Sequence, residues 1–239
     1  MNIKEVKARI REQVWKRLEE QDIARFPRPV YGRIPNYQGA EEAARLVTNL
    51  DEFKNANIVK VNPDAPQRMV RYYTLISNKM LIMPAPRLRS GFLLLRSIMN
   101  PKDALRASTI TGAFEYGRAL DIDKRIKIDA IVLGSVAVSR SGARLGKGEG
   151  YAEIEYAVFR ELGFVDSNTP VITTVHDLQI VDDIPVEEHD LPVDIIVTPK
   201  EIIRTNTDIA KPKGLIWDIL DEDKIKKMPL LERLREIRG

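Results

Sequence analysis

The chain has 239 residues, 44% of them hydrophobic and 31% charged, with a net charge of +3 and no cysteine. That length suits one large α/β domain, alone or with a small appendage, and the missing thiols exclude disulfides, thiolate catalysis and cysteine-ligated zinc or iron–sulfur centres. The charge is too small for a nucleic-acid binder held by charge alone, yet it suits a site for phosphates or a polyanionic small molecule.

Residues 3–20 have the composition of an amphipathic helix, with Ile3, Val6, Ile10, Val14 and Leu18 on one face and basic residues elsewhere. The segment FPRPVYGRIPNYQG (26–39) is rich in proline and glycine and predicts an ordered loop. Helix is expected over 41–50 and 51–54. Strands are expected at 58–61, 80–83, 128–138, 171–175 and 195–197, with helical stretches between several of them. Strands alternating with helices imply a largely parallel sheet covered on both faces. From about Lys211 the chain is charged, carries Pro212, Gly214 and Pro229, and predicts short helices around LIWDIL and LLERLREI. No stretch approaches the roughly 20 apolar residues of a bilayer span. The start MNIKEVKARIREQVW has no signal-peptide hydrophobic region, so cytoplasmic residence is expected.

The most informative stretch is RLGKGEGYAEIEY (144–156). The run before it, IDAIVLGSVAV, is β-branched and almost uncharged, as in a strand buried on both faces. After it, Ile154, Ala157, Val158 and Leu162 recur at helical spacing, with Glu153, Glu155 and Arg160 on other faces. Gly146, Gly148 and Gly150 therefore turn the backbone between strand and helix. Lacking Cβ atoms, they let backbone N–H groups approach a ligand closely, and the positive end of the next helix favours an anion there. Arg144 and Lys147 add positive charge. The spacing is neither GxGxxG, since Tyr151 stands at the third glycine, nor a Walker loop. A plain glycine-rich turn is the alternative.

Two further motifs stand in order with this loop. Lys7 and Arg11 put two cations one helical turn apart, and EEHDLPVDIIVTP supplies His189, Asp190, Asp194 and Thr198. Together with the loop they resemble the 5-formyltetrahydrofolate cyclo-ligase family, the methenyltetrahydrofolate synthetases, with its helical KxxxR, its GxRLGxGxGYYD and its HDxxxDxxxT. A weaker match is MPAPRLR, where Arg87 and Arg89 resemble a PRxR. The forms FPRPVYGRIPN, VNPDAPQR and GKGEGYAEIEY are similar to a divergent branch, the methenyltetrahydrofolate synthase domain-containing proteins.

The resemblance implies a three-layer α/β/α sandwich with a mostly parallel sheet, of the NagB/RpiA/CoA-transferase-like type. It spans residues 1–205, and residues 206–239 form a charged C-terminal extension. It also implies an ATP- and Mg²⁺-dependent ligase that phosphorylates the formyl oxygen of a 5-formyl reduced pterin and closes the 5,10-methenyl ring. ATP would be held by Lys7, Arg11, Arg144, Gly146, Lys147, Gly148, Glu149, Gly150 and Tyr151, with Arg144 and Lys147 catalytic. The pterin would meet Arg11, Gln67 and Tyr151, and Mg²⁺ would take Glu153 and Asp190. Departures from the family pattern are Glu149 within the phosphate loop, Ala152 for the second tyrosine, Glu153 for aspartate, and Gln67 where a pterin-contacting acid is expected. They leave a second reading open, a non-catalytic protein of the same fold binding nucleotide, RNA or a protein partner.

His176 and His189 both precede aspartates, and capping at strand ends is the expectation preferred to a metal pair. Arg68, Arg71, Arg87 and Arg89 suit an acidic-substrate pocket, an RNA-facing surface or a plain solvated surface. Trp15 and Trp217 are expected to pack on helices. Ser135 and Ser139 lack the glycine context of a nucleophile elbow.

Overall fold

The computed structural model describes residues 2–238. Helix α1 (Ile3–Glu20) opens with a capping box, in which the Asn2 side chain accepts from the Glu5 N–H and the Glu5 carboxylate accepts from the Asn2 N–H. The short strands β1 (Ala24–Arg25) and β2 (Asn36–Tyr37) pair across the proline-rich loop. Helices α2 (Ala40–Val47) and α3 (Asp51–Lys54) lead into β3 (Ile58–Val61), α4 (Arg68–Ile76) and β4 (Met80–Pro84). Next come β5 (Phe92–Leu95), α5 (Pro101–Ala107), α6 (Ile110–Tyr116), β6 (Arg118–Ala119) and β7 (Ala130–Gly134). Then follow β8 (Ala137–Ser139), β9 (Arg144–Leu145), α7 (Tyr151–Glu161), β10 (Val171–Thr174), β11 (Ile180–Val181), β12 (Ile195–Val197) and β13 (Ile202–Arg204). Helices α8 (Glu222–Lys227) and α9 (Pro229–Arg238) close the chain.

The main sheet runs β13-β12-β10-β7-β3-β4-β5-β6. Its five central strands are parallel, while β13, β5 and β6 add antiparallel edges. Strand alternation splits the core in two. Ile131 and Leu133 of β7 join the cluster under α7, α8 and α9, whereas Ala130 and Val132 join the cluster under α2 to α6. Helices therefore cover both faces, and the three-layer architecture expected from the sequence is the one observed. A third cluster packs α1, through Val14, Trp15 and Leu18, on the small sheet β11-β8-β9.

The expected strand over 128–138 is divided. Beyond Gly134 the chain leaves the main sheet and resumes as β8 in the small one. Side chains take the carbonyls that a continuing ladder would use: Arg144 donates to Gly134 O at 3.0 Å and Gln179 to Ser135 O at 2.7 Å. The C-terminal segment is not peripheral either. Leu215, Ile225, Met228, Leu231 and Leu234 are buried in the same cluster as α7.

Candidate functional site

The parallel strands follow the order β4-β3-β7-β10-β12, so chain connections depart in opposite directions from β3 and β7. Crevices at such switch points, outside the carboxyl ends of the strands, are where open α/β sheets receive ligands. A cavity of about 700 Å³ lies there, lined by Asn62 and Asp64 after β3, Gly134 at the end of β7, Arg33 of the proline-rich loop, and Lys147 and Tyr151. A neighbouring cavity of about 380 Å³ is lined by Lys7, Arg11, Gly148, Glu187, His189 and Asp190. Arg144, Gly146, Gly150 and Glu153 line both, so the glycine loop is the partition between them.

The loop needs its glycines. Gly148 and Gly150 have φ of 100° and 72°, and a Cβ on Gly148 would stand 3.5 Å from the Arg11 guanidinium. Arg11 Nε donates to Gly146 O at 2.7 Å and Lys224 Nζ donates to Glu149 O at 2.5 Å. Gly150 opens α7 with no side-chain cap. Among the described residues, none of the backbone N–H groups from Gly146 to Glu153 has a protein acceptor. A run of free N–H groups at the positive end of a helix is an anion site.

Arg144 is buried beneath this loop. Its Nε donates to Leu191 O at 3.4 Å, one terminal nitrogen donates to Gly134 O, and the other bonds Glu153. A guanidinium carries five N–H donors, so two remain for a ligand. Lys7, also buried, donates to Glu187 Oε2 at 2.8 Å and to Asp190 Oδ2 at 2.5 Å. Its hydrogen bond holds the Glu187 carboxyl below the ordinary glutamate value. Lys147 Nζ pairs with Glu149 at 2.7 Å, so the negative charge within the loop has its counter-charge two residues away.

Glu187, His189 and Asp190 each offer a ligand atom within 4.8 Å of the others, and Glu153 lines the same cavity. Carboxylate oxygens of this kind match a hard divalent cation such as Mg²⁺.

Not every expected residue reaches the site. Gln67 is sealed behind Gly134, its amide donating to Thr174 Oγ1 at 2.7 Å, and it lines neither cavity. The acid that faces the larger cavity is Asp64, three residues earlier. Its burial raises the carboxyl pKa against the pull of Lys147, Arg71, Lys60 and Arg144. The NPD that directly follows β3 is the sequence signal for it. Glu155, read as lying away from the apolar face of α7, is instead buried and bonded to Lys60 at 2.5 Å, and Lys60 also reaches Asn62 at 2.5 Å. Burial raises the Glu155 pKa despite that partner. Asp194 and Thr198 serve the backbone: Asp194 accepts from Val171 N–H, and Thr198 Oγ1 accepts from Lys200 N–H and Glu201 N–H.

The remaining candidates separate. His176 caps a turn, its Nδ1 accepting from Leu178 N–H, as preferred from the sequence, while His189 belongs to the acidic group. Arg87 lines the larger cavity, whereas Arg71 is buried and donates to the carbonyls of Asn62, Asp64 and Ser108. Arg68 and Arg89 are exposed. Trp15 is buried in α1 and donates to Arg33 O, and Trp217 packs partly buried on the core.

The fold and the loop thus define an α/β protein with a glycine turn of unpartnered N–H groups between two clefts. Residues 3–199 match the model of the 5-formyltetrahydrofolate cyclo-ligase family, and the chain belongs to that family. It is 47% identical over 234 residues to the methenyltetrahydrofolate synthase domain-containing protein of Bos taurus, a match covering 95% of this chain and 61% of that one. The human protein of the same description is 46% identical over 234 residues, covering 95% and 60%. The chain spans about three fifths of the length of these relatives. A shorter match, 39% over 72 residues, is to the 5-formyltetrahydrofolate cyclo-ligase of Mycolicibacterium smegmatis, covering 30% of this chain and 34% of that one. The NMR structure of Aquifex aeolicus 5,10-methenyltetrahydrofolate synthetase shares the fold, with a TM-score of 0.53 at 22% identity over 84% of this chain and 93% of that one. No described helix is long and apolar enough to cross a membrane.

Proposed function

We propose that the chain is an ATP- and Mg²⁺-dependent cyclo-ligase that converts a 5-formyl reduced pterin to its 5,10-methenyl form, and that it works in the cytoplasm. The observation that carries this reading is the run of unpartnered N–H groups from Gly146 to Glu153, placed between two clefts. Phosphoryl transfer is catalysed chiefly by positioning and charge neutralisation, and a phosphate on this loop would be reachable from both sides. The two spare N–H donors of Arg144, with Lys147, would neutralise it, and Lys7 and Arg11 would hold the nucleotide from the smaller cleft. Glu153 and Asp190 would hold Mg²⁺, which supplies further charge neutralisation when bound.

The larger cleft would take the pterin. Asp64 suits the role assigned to Gln67 from the sequence, since a carboxyl can pair with the adjacent N–H donors of an aminopyrimidinone edge. Tyr151 lines the same cleft and offers a ring face.

The test is the rise of the methenyl-pterin absorbance after mixing protein, 5-formyltetrahydrofolate, Mg²⁺ and ATP. A rise that Arg144→Ala abolishes is expected. No rise with ATP still bound would point to another formyl substrate. No ATP binding would leave the second reading, a non-catalytic module for RNA or a protein partner. One observation favours that alternative: Lys7, Lys147 and Arg144 are each already paired with a carboxylate of the chain itself.

A further inference from the structure

The glycine loop is gripped from both ends of the chain. Arg11 of α1 holds the carbonyl of Gly146, and Lys224 of α8 holds the carbonyl of Glu149. Lys224 lies beyond residue 199, where the match to the family ends. Its ammonium also sits 5.7 Å from the ring centroid of Tyr151, within cation–π range, and 3.6 Å from where a Cβ on Gly150 would be. One half-buried side chain therefore touches the surroundings of three consecutive residues at the start of α7.

The position of Lys224 is itself secured. Ile225 and Met228 beside it, and Leu231 and Leu234 of α9, are buried against the core that carries α7. Asp221 caps α8 by accepting from Asp223 N–H at 2.9 Å. Arg235 pairs with Glu222 at 3.0 Å, tying α9 to α8. The charge has no carboxylate partner among the described residues; its hydrogen bond goes to the loop carbonyl.

We propose that Lys224 is a positioning residue for the glycine loop, and that the C-terminal helices act as a clamp which pre-orders the backbone N–H groups of residues 146–150 for an anionic ligand. Glycines lose more conformational freedom on ordering than any other residue, so a loop already held by its carbonyls captures an anion without bearing that loss at the moment of binding. Grip on the carbonyls leaves the N–H groups free. Contact with the Tyr151 ring extends the same hold to a wall of the larger cleft. That the anion is ATP rests on the function proposed above; the clamp does not.

The experiment uses the full chain with its 13 glycines labelled with ¹⁵N, as wild type, Lys224→Met and Lys224→Arg. Backbone order parameters of Gly148 and Gly150 should fall from about 0.85 to below about 0.6 in Lys224→Met. Gly134 and Gly163 should not change, and Lys224→Arg should match the wild type. Calorimetric titration with ATP and Mg²⁺ should show Kd rising about tenfold in Lys224→Met and recovering in Lys224→Arg. Unchanged order parameters at Gly148 and Gly150 overturn the clamp, and loosened glycines with unchanged affinity overturn its part in ligand binding. A wild type that binds no ATP overturns the nucleotide reading of the loop, while the order parameters still decide the clamp.

Discussion

Lys7 Nζ lies 2.5 Å from Asp190 Oδ2, joining the first helix to a loop 183 residues away. The same ammonium holds Glu187, so a single buried cation organises the acidic rim of the smaller cleft.

Replacing Lys7 by methionine keeps the buried stem and removes the charge. It should cost about 1.5–3 kcal/mol, the range for hydrogen bonds to charged groups. Glu187 has a folded pKa below its ordinary 4.5. The stabilisation it draws from Lys7 is therefore present above that value and lost as pH falls through the folded pKa. Thermal melts should show the wild type well ahead of Lys7→Met at neutral pH and the gap narrowing in acid. A gap independent of pH would argue against the pairing.

Arg144→Ala should weaken ATP binding by about 1.5–3 kcal/mol. It also leaves Glu153 without its partner, so circular dichroism must accompany the titration. Arg144→Lys should recover only part of the affinity, because a lysine cannot reach Gly134 O, Leu191 O, Glu153 and a phosphate together. Full ATP affinity in a folded Arg144→Ala protein would remove Arg144 from the phosphate site.

Asp64 gives a pH dependence of opposite sign. Its folded pKa is raised above the usual 3.8, so the folded protein binds more protons than the unfolded chain between those values. Stability then falls as pH rises through that window. Asp64→Asn does not titrate, and its melting temperature should gain on the wild type as pH rises from about 4 toward neutrality. Pterin binding should be lost in the same variant. A constant difference in melting temperature would mean that the carboxyl has the same pKa in the folded and unfolded protein.

The Lys60–Glu155 pair, almost fully buried, should be costly to break from one side only. Lys60→Met is expected to destabilise by about 3–5 kcal/mol, since it strands a carboxylate in the core. Adding Glu155→Leu should restore most of that loss. Urea unfolding of both variants and of Glu155→Leu alone, analysed as a double-mutant cycle, would measure the coupling.

The elements with strong local patterns were legible before folding was considered. Helix 3–20 and the strands at 58–61 and 195–197 occur at the expected residues, because hydrophobic periodicity and β-branched runs act within a few residues. The glycine turn was legible too, since positive φ at Gly148 and Gly150 is a local steric demand. The run over 128–138 breaks after Gly134, where the carbonyls are taken by Arg144, ten residues on across the turn between β8 and β9, and by Gln179, 44 residues on. Glu155 looked like a polar face of α7 because Lys60 lies 95 residues away.

What the sequence determined by itself was the kind of fold and the presence of a glycine turn with cations at Lys7, Arg11 and Arg144. Periodicity, composition and short motifs carry that information locally. Only the tertiary structure decided which polar side chain faces the cleft, Asp64 rather than Gln67, and that Lys224 reaches the loop from the far end of the chain. A side chain's neighbours depend on how sheet order and helix packing bring distant segments together. That geometry is set by the burial of the whole core, to which each residue contributes only a part.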